Sequence, residues 1–168
     1  PECTLVEEDG MKLTLLSPTP KKLERMRKAW KKDLGPGVTP GDLDGAWERL
    51  AGRKAYLPGQ GLLGTTPELD ALLQRQMKVD NAAANGSSIA FLAEYGDKSC
   101  LFLADAHHDV ITASIRRLLA QRGETVLRVD AVKVSHHGSA GNLSDELLAL
   151  IDAPRFLIST NGNQFDHP

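Results

Sequence analysis

Apolar positions along the chain fall into two textures. Before about residue 84 they are spaced for a hairpin and for helices; after it they run in short dense blocks divided by polar turns. The stretch "CTLVEEDGMKLTLLS" (3–17) has two apolar-rich runs around Glu8-Asp9-Gly10, a turn sequence that predicts a β-hairpin. "PTPKKLERMRKAWKKDLG" (18–35) predicts an amphipathic helix. Thr19 can cap it, Pro20 suits its first position, Gly35 can end it, and Leu23, Met26, Trp30 and Leu34 form one stripe. In 35–66, "GPGVTPGDL" and "LPGQGLLGTTP" bracket a short helical stretch around Leu43, Trp47 and Leu50, which reads as an insertion or long loop on the surface. A further helix is expected from Pro67 to Met77, with Leu69, Leu72, Leu73 and Met77 inward.

The second texture begins with "SSIAFLAEYGDKSCLFLADA" (87–106), two strands around Gly96-Asp97. Both are nearly continuously apolar, as expected when both faces of a sheet are covered. "HHDVITASIRRLLAQRGE" (107–124) places Ile111, Ile115, Leu118 and Leu119 on one helical face and Gly123 at its end. A strand at 130–135, a helix at 144–152 and a strand at 155–160 follow. Strand-helix-strand-helix-strand implies α/β layer packing in one domain. Its parts are a hairpin and helix (1–34), a Gly/Pro-rich segment with helices (35–84) and a β-α-β core (85–168).

Composition narrows the class. The chain of 168 residues is 41% hydrophobic and 25% charged, near globular averages, with a net charge of -2. That balance argues against a general grip on nucleic acid or an anionic membrane, although the basic face of 21–32 leaves nucleic acid as a weakly supported partner. No apolar run approaches the roughly 18 residues of a membrane helix. Cys3 and Cys100 form no CxxC pattern, so free thiols and a cytoplasmic location are expected. The chain opens at Pro1 without a methionine and closes at "NGNQFDHP", which reads as a cut through a longer polypeptide.

Candidate chemistry comes from position. The strand at 99–104 exits into Asp105, the strand at 131–135 into His136-His137, and the strand at 155–160 into Asn161, followed by Asp166 and His167. If these strands run parallel, their carboxyl ends form the edge where α/β sheets bind ligands. Imidazole and carboxylate suit zinc, and a carboxylate can bridge two metals where an imidazole cannot. Other readings stand beside this one. Asp105 can cap the helix near His107. Adjacent His136 and His137 would face opposite ways in a continuing strand, so both serve one site only if the strand ends there. His107 and His108, in the first turn of a helix, read as neutral surface or rim groups. Ser139 reads as a hydrogen-bonding or loop-capping residue rather than a nucleophile.

"SSIAFLAEYGDKSCLFLADA", "VDAVKVSHHGS" and "RFLISTNGNQFDHP" together resemble the carboxy-terminal half of the metallo-β-lactamase-fold hydrolases. The nearest branch carries an HHGS signature and includes lactamase-like domains of DNA-uptake channels and phosphorylcholine esterases. The resemblance covers roughly 85–168, and "LTLLSPT" extends it into 3–34. It implies a four-layered αββα sandwich with one or two metals, usually zinc, at one edge. It further implies that Asp105 (here "ADA" where the family writes "GDA") bridges metals, that His137 and His167 belong to the metal site, and that His136 lies by the substrate as a catalytic group. Ser139 and Asn161 would contact substrate.

The family's amino-terminal HxHxDH cluster has no counterpart, since no histidine precedes His107. The expectation is therefore part of a metal-dependent hydrolase of phosphodiesters or esters, inactive alone and short of zinc ligands. Its partner would be the missing amino-terminal half, with self-association of the exposed half-sandwich as a second outcome. A non-catalytic lactamase-like binding or assembly module is the rival.

Overall fold

The computed structural model describes residues 5–37, 39, 41–51 and 79–160. The expected helix 67–77 lies outside them, as do Cys3, Asn161, Asp166 and His167.

The hairpin forms as the turn residues dictate. Strands β1 (Leu5–Glu8) and β2 (Met11–Ser17) pair antiparallel with Glu8 opposite Met11, and Asp9 and Gly10 take φ of 49° and 79°. These positive values suit the right-handed twist of the flanking strands. Helix α1 (Pro20–Leu34) starts where the Lys22 N–H donates to Thr19 Oγ1 and stops at Gly35, φ 74°. Of its apolar stripe only Leu34 is buried; Met26 and Trp30 are half-buried and Leu23 is 51% exposed. Helix α2 (Leu43–Leu50) likewise leaves Leu43 and Trp47 exposed.

After a one-turn helix α3 (Ala83–Gly86) come strands β3 (Ala90–Tyr95) and β4 (Lys98–Phe102), then helix α4 (His108–Arg122). Short strands β5 (Leu127–Arg128) and β6 (Ala131–Lys133), helix α5 (Asp145–Ala149), β7 (Ile151–Asp152) and β8 (Phe156–Leu157) complete the described chain. The result is a mixed α/β fold. One sheet has the order β1-β2-β3-β4-β6-β8, and β5 pairs with β7 in a second. The hairpin and β3 run antiparallel, while β4, β6 and β8 run parallel through the α4 and α5 crossovers.

One face of the large sheet is buried across β2, β3, β4 and β6, while Phe156 of β8, in register with Val132, is 49% exposed. Leu92, Leu101 and Val132 share that face in register, and with Ala90 and Leu16, the latter at the irregularity in β2, they pack with Ile111, Ile115, Leu118 and Leu119 of α4. The Ser114 hydroxyl fastens that helix by donating to the Leu16 carbonyl at 2.6 Å. The opposite face carries Leu13, Leu15, Phe91, Ala93, Cys100 and Phe102, apolar but only half-buried. Phe91 and Phe102 stack there across the β3–β4 pair, ring centroids 4.9 Å apart. Dense apolar runs in β3 and β4 thus accompany one closed face and one half-open face.

Candidate functional site

Parallel pairing puts Phe102, Lys133 and Leu157 in register, so β4, β6 and β8 end at one edge. The chain leaves that edge through strained turns. After β4, Ala104 takes φ 48° just ahead of Asp105. After β6, His136 (φ 42°, ψ 54°), His137 (φ 58°, ψ 20°) and Gly138 (φ 88°) are left-handed in succession. Only the glycine occupies that region freely; each side-chain-bearing residue there costs about 1–2 kcal/mol. The His136 N–H donates to the Ala104 carbonyl at 2.8 Å, tying the two turns together. Because β6 ends at Lys133, the turn brings both imidazoles to one side, with ring centroids 5.9 Å apart.

The His136 ring is oriented from below by Asn142, fully buried. Asn142 Nδ2 donates to Asp80 Oδ2 at 2.8 Å and to the Asp105 carbonyl at 3.2 Å. Its amide oxygen must therefore be the acceptor in the 2.9 Å contact with His136 Nδ1. In the neutral His136 ring Nδ1 then carries the proton and Nε2 the lone pair, the tautomer a metal ligand or proton acceptor needs. Asp80 anchors this arrangement. Its carboxylate accepts from the Ala82 N–H and from Asn85 Nδ2, both at 2.8 Å, and lies 3.6 Å from His136 Nδ1. The Asp80 N–H donates to the Gly141 carbonyl, binding its segment to the loop that follows the histidines. Burial alone would raise the Asp80 carboxyl; the hydrogen bonds from Ala82, Asn85 and Asn142 outweigh it and hold the group below its ordinary value.

His107 departs from its expected place at the surface. It is 4% exposed, seated at the N-cap of α4 against α3. The Lys22 ammonium donates to Nδ1 at 2.7 Å, and Nε2–H donates to the Ala82 carbonyl at 3.0 Å. Both nitrogens are engaged by protein, so His107 is a structural histidine. Burial first, then the Lys22 charge, pushes it below its ordinary value; Asp80, 3.8 Å away, pulls back without reversing the shift. Gly86 makes room for the ring, since a Cβ there would meet His107 Cε1 at 2.9 Å. His108, the first residue of α4, is half-buried.

The remaining expected site residues divide. Asp105 is half-buried in the turn after β4 and does not cap α4, whose N-cap is His107. His137 is exposed, with Nδ1–H donating to the Ser159 carbonyl beyond β8. Ser139 joins two 3-10 turns through its backbone, donating to His136 O and accepting from Asn142 N; its hydroxyl forms no cap. Asn161 and His167 lie outside the described residues. Among the described residues no group of three or more His, Cys, Asp or Glu is placed to hold a metal. Sequence reasoning missed Asp80, Asn142 and Lys22. Asn142 lies three residues beyond the quoted "VDAVKVSHHGS", and an asparagine after Ala140-Gly141 reads as a turn former.

Comparison of the chain with protein-family models, curated proteins and solved structures finds no match.

Proposed function

We propose that this chain is part of a metal-dependent hydrolase of the metallo-β-lactamase type, an αββα enzyme cleaving a phosphodiester or ester with metal-activated water. The observation that carries the reading is the left-handed turn His136-His137-Gly138 at the shared edge of three parallel strands. Backbone strain on residues with side chains persists where the surroundings over-determine it, and it clusters at functional sites.

The donor chemistry suits zinc, although it supplies too few ligands by itself. His137 and His136 each have Nδ1–H engaged by a protein acceptor, which puts the lone pair on Nε2, the tautomer that coordination or proton transfer requires. In this reading His137 is a ligand, Asp105 the bridging carboxylate, and His167 a further group of the metal site. Zinc, when bound, would supply a Lewis acid and an activated water. The chain's own part is to hold His136 by the substrate through Asn142 and Asp80, with Ser139 and Asn161 contacting substrate. Supporting a partner is the half-buried apolar face of the sheet, which an amino-terminal half bearing the other ligands would cover; a second copy of the chain is the alternative cover. Among the described residues no helix is long and apolar enough to cross a membrane, and Cys100 is a free thiol, as a cytoplasmic protein would have.

Cobalt(II) titration followed by visible absorption tests the reading on this chain. A weak-affinity ligand-field band that is lost in both Asp105→Asn and His137→Gln supports it. No band, or one indifferent to both changes, overturns it. The second reading, a non-catalytic binding or assembly module of the same fold, draws on the half-buried apolar face that carries the Phe91–Phe102 stack. It predicts no band and a stable complex in light scattering.

A further inference from the structure

A cleft of about 460 Å³ opens where the first turns of α1 meet α4, and Lys21, Lys22, Arg25 and Arg117 line it with one carboxylate, Asp109. Most of these cations, like Arg49 on the Leu34 carbonyl, are held by neutral partners. Elsewhere the guanidiniums of Arg27, Arg116 and Arg122 are taken up by Glu24, Glu146 and Glu94. In the cleft they are fixed by neutral acceptors. Arg25 Nη2 donates to the Asn81 carbonyl at 2.7 Å, and Arg117 Nη2 to Ser114 Oγ at 2.9 Å. Lys22 Nζ donates to His107 Nδ1 at 2.7 Å. A cation immobilised by a neutral partner keeps its full charge for a ligand, and its side-chain freedom is already lost before binding. Each guanidinium also keeps donors beyond the one in use.

Asp109 offsets little of this charge. Its carboxylate is mostly exposed and 3.6 Å from Lys22. Helix α1 has no acidic residue in its first turn, so the positive end of its dipole adds to the field. The cations converge on a bounded cleft from two helices. That favours a compact anion, held from two sides, over a polymer, which would lie along an extended basic surface.

We propose that this cleft binds a small phosphorylated molecule by its phosphate, with Arg25 and Arg117 as forked donors and Lys21 and Lys22 as point charges. The cleft shares no lining residue with the histidine turn, so the proposal stands apart from the hydrolase reading.

Calorimetric titration of the whole chain with inorganic pyrophosphate tests it. Saturable binding is expected, weakened at least about tenfold by Arg25→Gln with Arg117→Gln. Lys21→Gln, at an exposed position, should weaken it with the fold intact by circular dichroism, which guards against loss through unfolding. Arg116→Gln, outside the cleft, should leave it unchanged. No binding at millimolar pyrophosphate, or binding indifferent to the cleft variants, overturns the proposal. So does a short single-stranded oligonucleotide that binds far more tightly than pyrophosphate through the same residues, which would make the partner a polymer.

Discussion

His136 Nδ1 and Asn142 Oδ1 lie 2.9 Å apart, and that contact fixes which nitrogen of the histidine holds the lone pair. The orientation reaches deeper, because the Asn142 amide is itself held by Asp80 and by the backbone of the turn bearing Asp105. Two strand-end turns and the segment around Asp80 therefore share one buried side chain. A polar group so placed is costly to remove, since its neighbours lose partners they cannot replace from water.

Asn142→Ala should lower stability by about 2–4 kcal/mol, measured by urea denaturation, because Asp80, His136 and the Asp105 carbonyl all lose a partner. Asn142→Asp should be worse at neutral pH, since it places a second carboxylate where an amide now donates to Asp80. Equal, small effects from both would mean the network is not a structural keystone.

Acid should weaken the fold in two stages. His107 is held below its ordinary value near 6.5, so the unfolded chain takes up a proton that the folded chain resists. Its contribution is fully present above about pH 6.5 and is lost as pH falls through the lowered folded value. Asp80, below its ordinary 3.8, contributes above that value and loses its contribution as pH falls further. Urea midpoints should therefore decline from pH 7 to pH 5. In His107→Gln, starting from a lower midpoint, that decline should flatten; an unchanged slope would remove His107 as its source.

Much of the frame was legible in the residues. Asp9-Gly10 announced the hairpin, Thr19-Pro20 and Gly35 bounded α1, and the polar residues after three apolar blocks marked strands that do end in register. The two-residue strand β7 was not legible. Ile151 and Asp152 are too few to show a period of two, and they read as the tail of the preceding helix. The burial of His107 was hidden for another reason. A histidine in the first turn of a helix looks solvent-facing until Lys22 and Ala82, 85 and 25 residues away in sequence, supply its partners. Asp80 gave no signal, because its role is tertiary and its local sequence spells only a turn.

Gly86→Ala should destabilise the protein by about 1–3 kcal/mol. The added methyl would sit 2.9 Å from His107 Cε1 and 3.2 Å from Nδ1. The ring has little room to yield, with Lys22 on one nitrogen and the Ala82 carbonyl on the other. Thermal unfolding of Gly86→Ala beside Gly96→Ala gives the comparison. Gly96 meets nothing within 4 Å, so only its positive φ is penalised there.

The strained turns allow stability and chemistry to be separated. Ala104 and His137 hold φ of 48° and 58°, where glycine is unstrained. Ala104→Gly and His137→Gly should each leave stability unchanged or raise it by up to about 1 kcal/mol, strain relief being partly offset by the freer unfolded chain. Ala104→Val and His137→Val should each lower it by about 2 kcal/mol or more, since a β-branched residue tolerates this conformation least. If the turn exists for a site, His137→Gly will also lose metal affinity while gaining or keeping stability, the signature of a residue retained for function at the expense of the fold. Thermal midpoints and cobalt titrations on the same four variants decide it. A His137→Gly protein that is clearly less stable than wild type would mean the imidazole's bond to the Ser159 carbonyl supports the fold, and the argument from strain would fail.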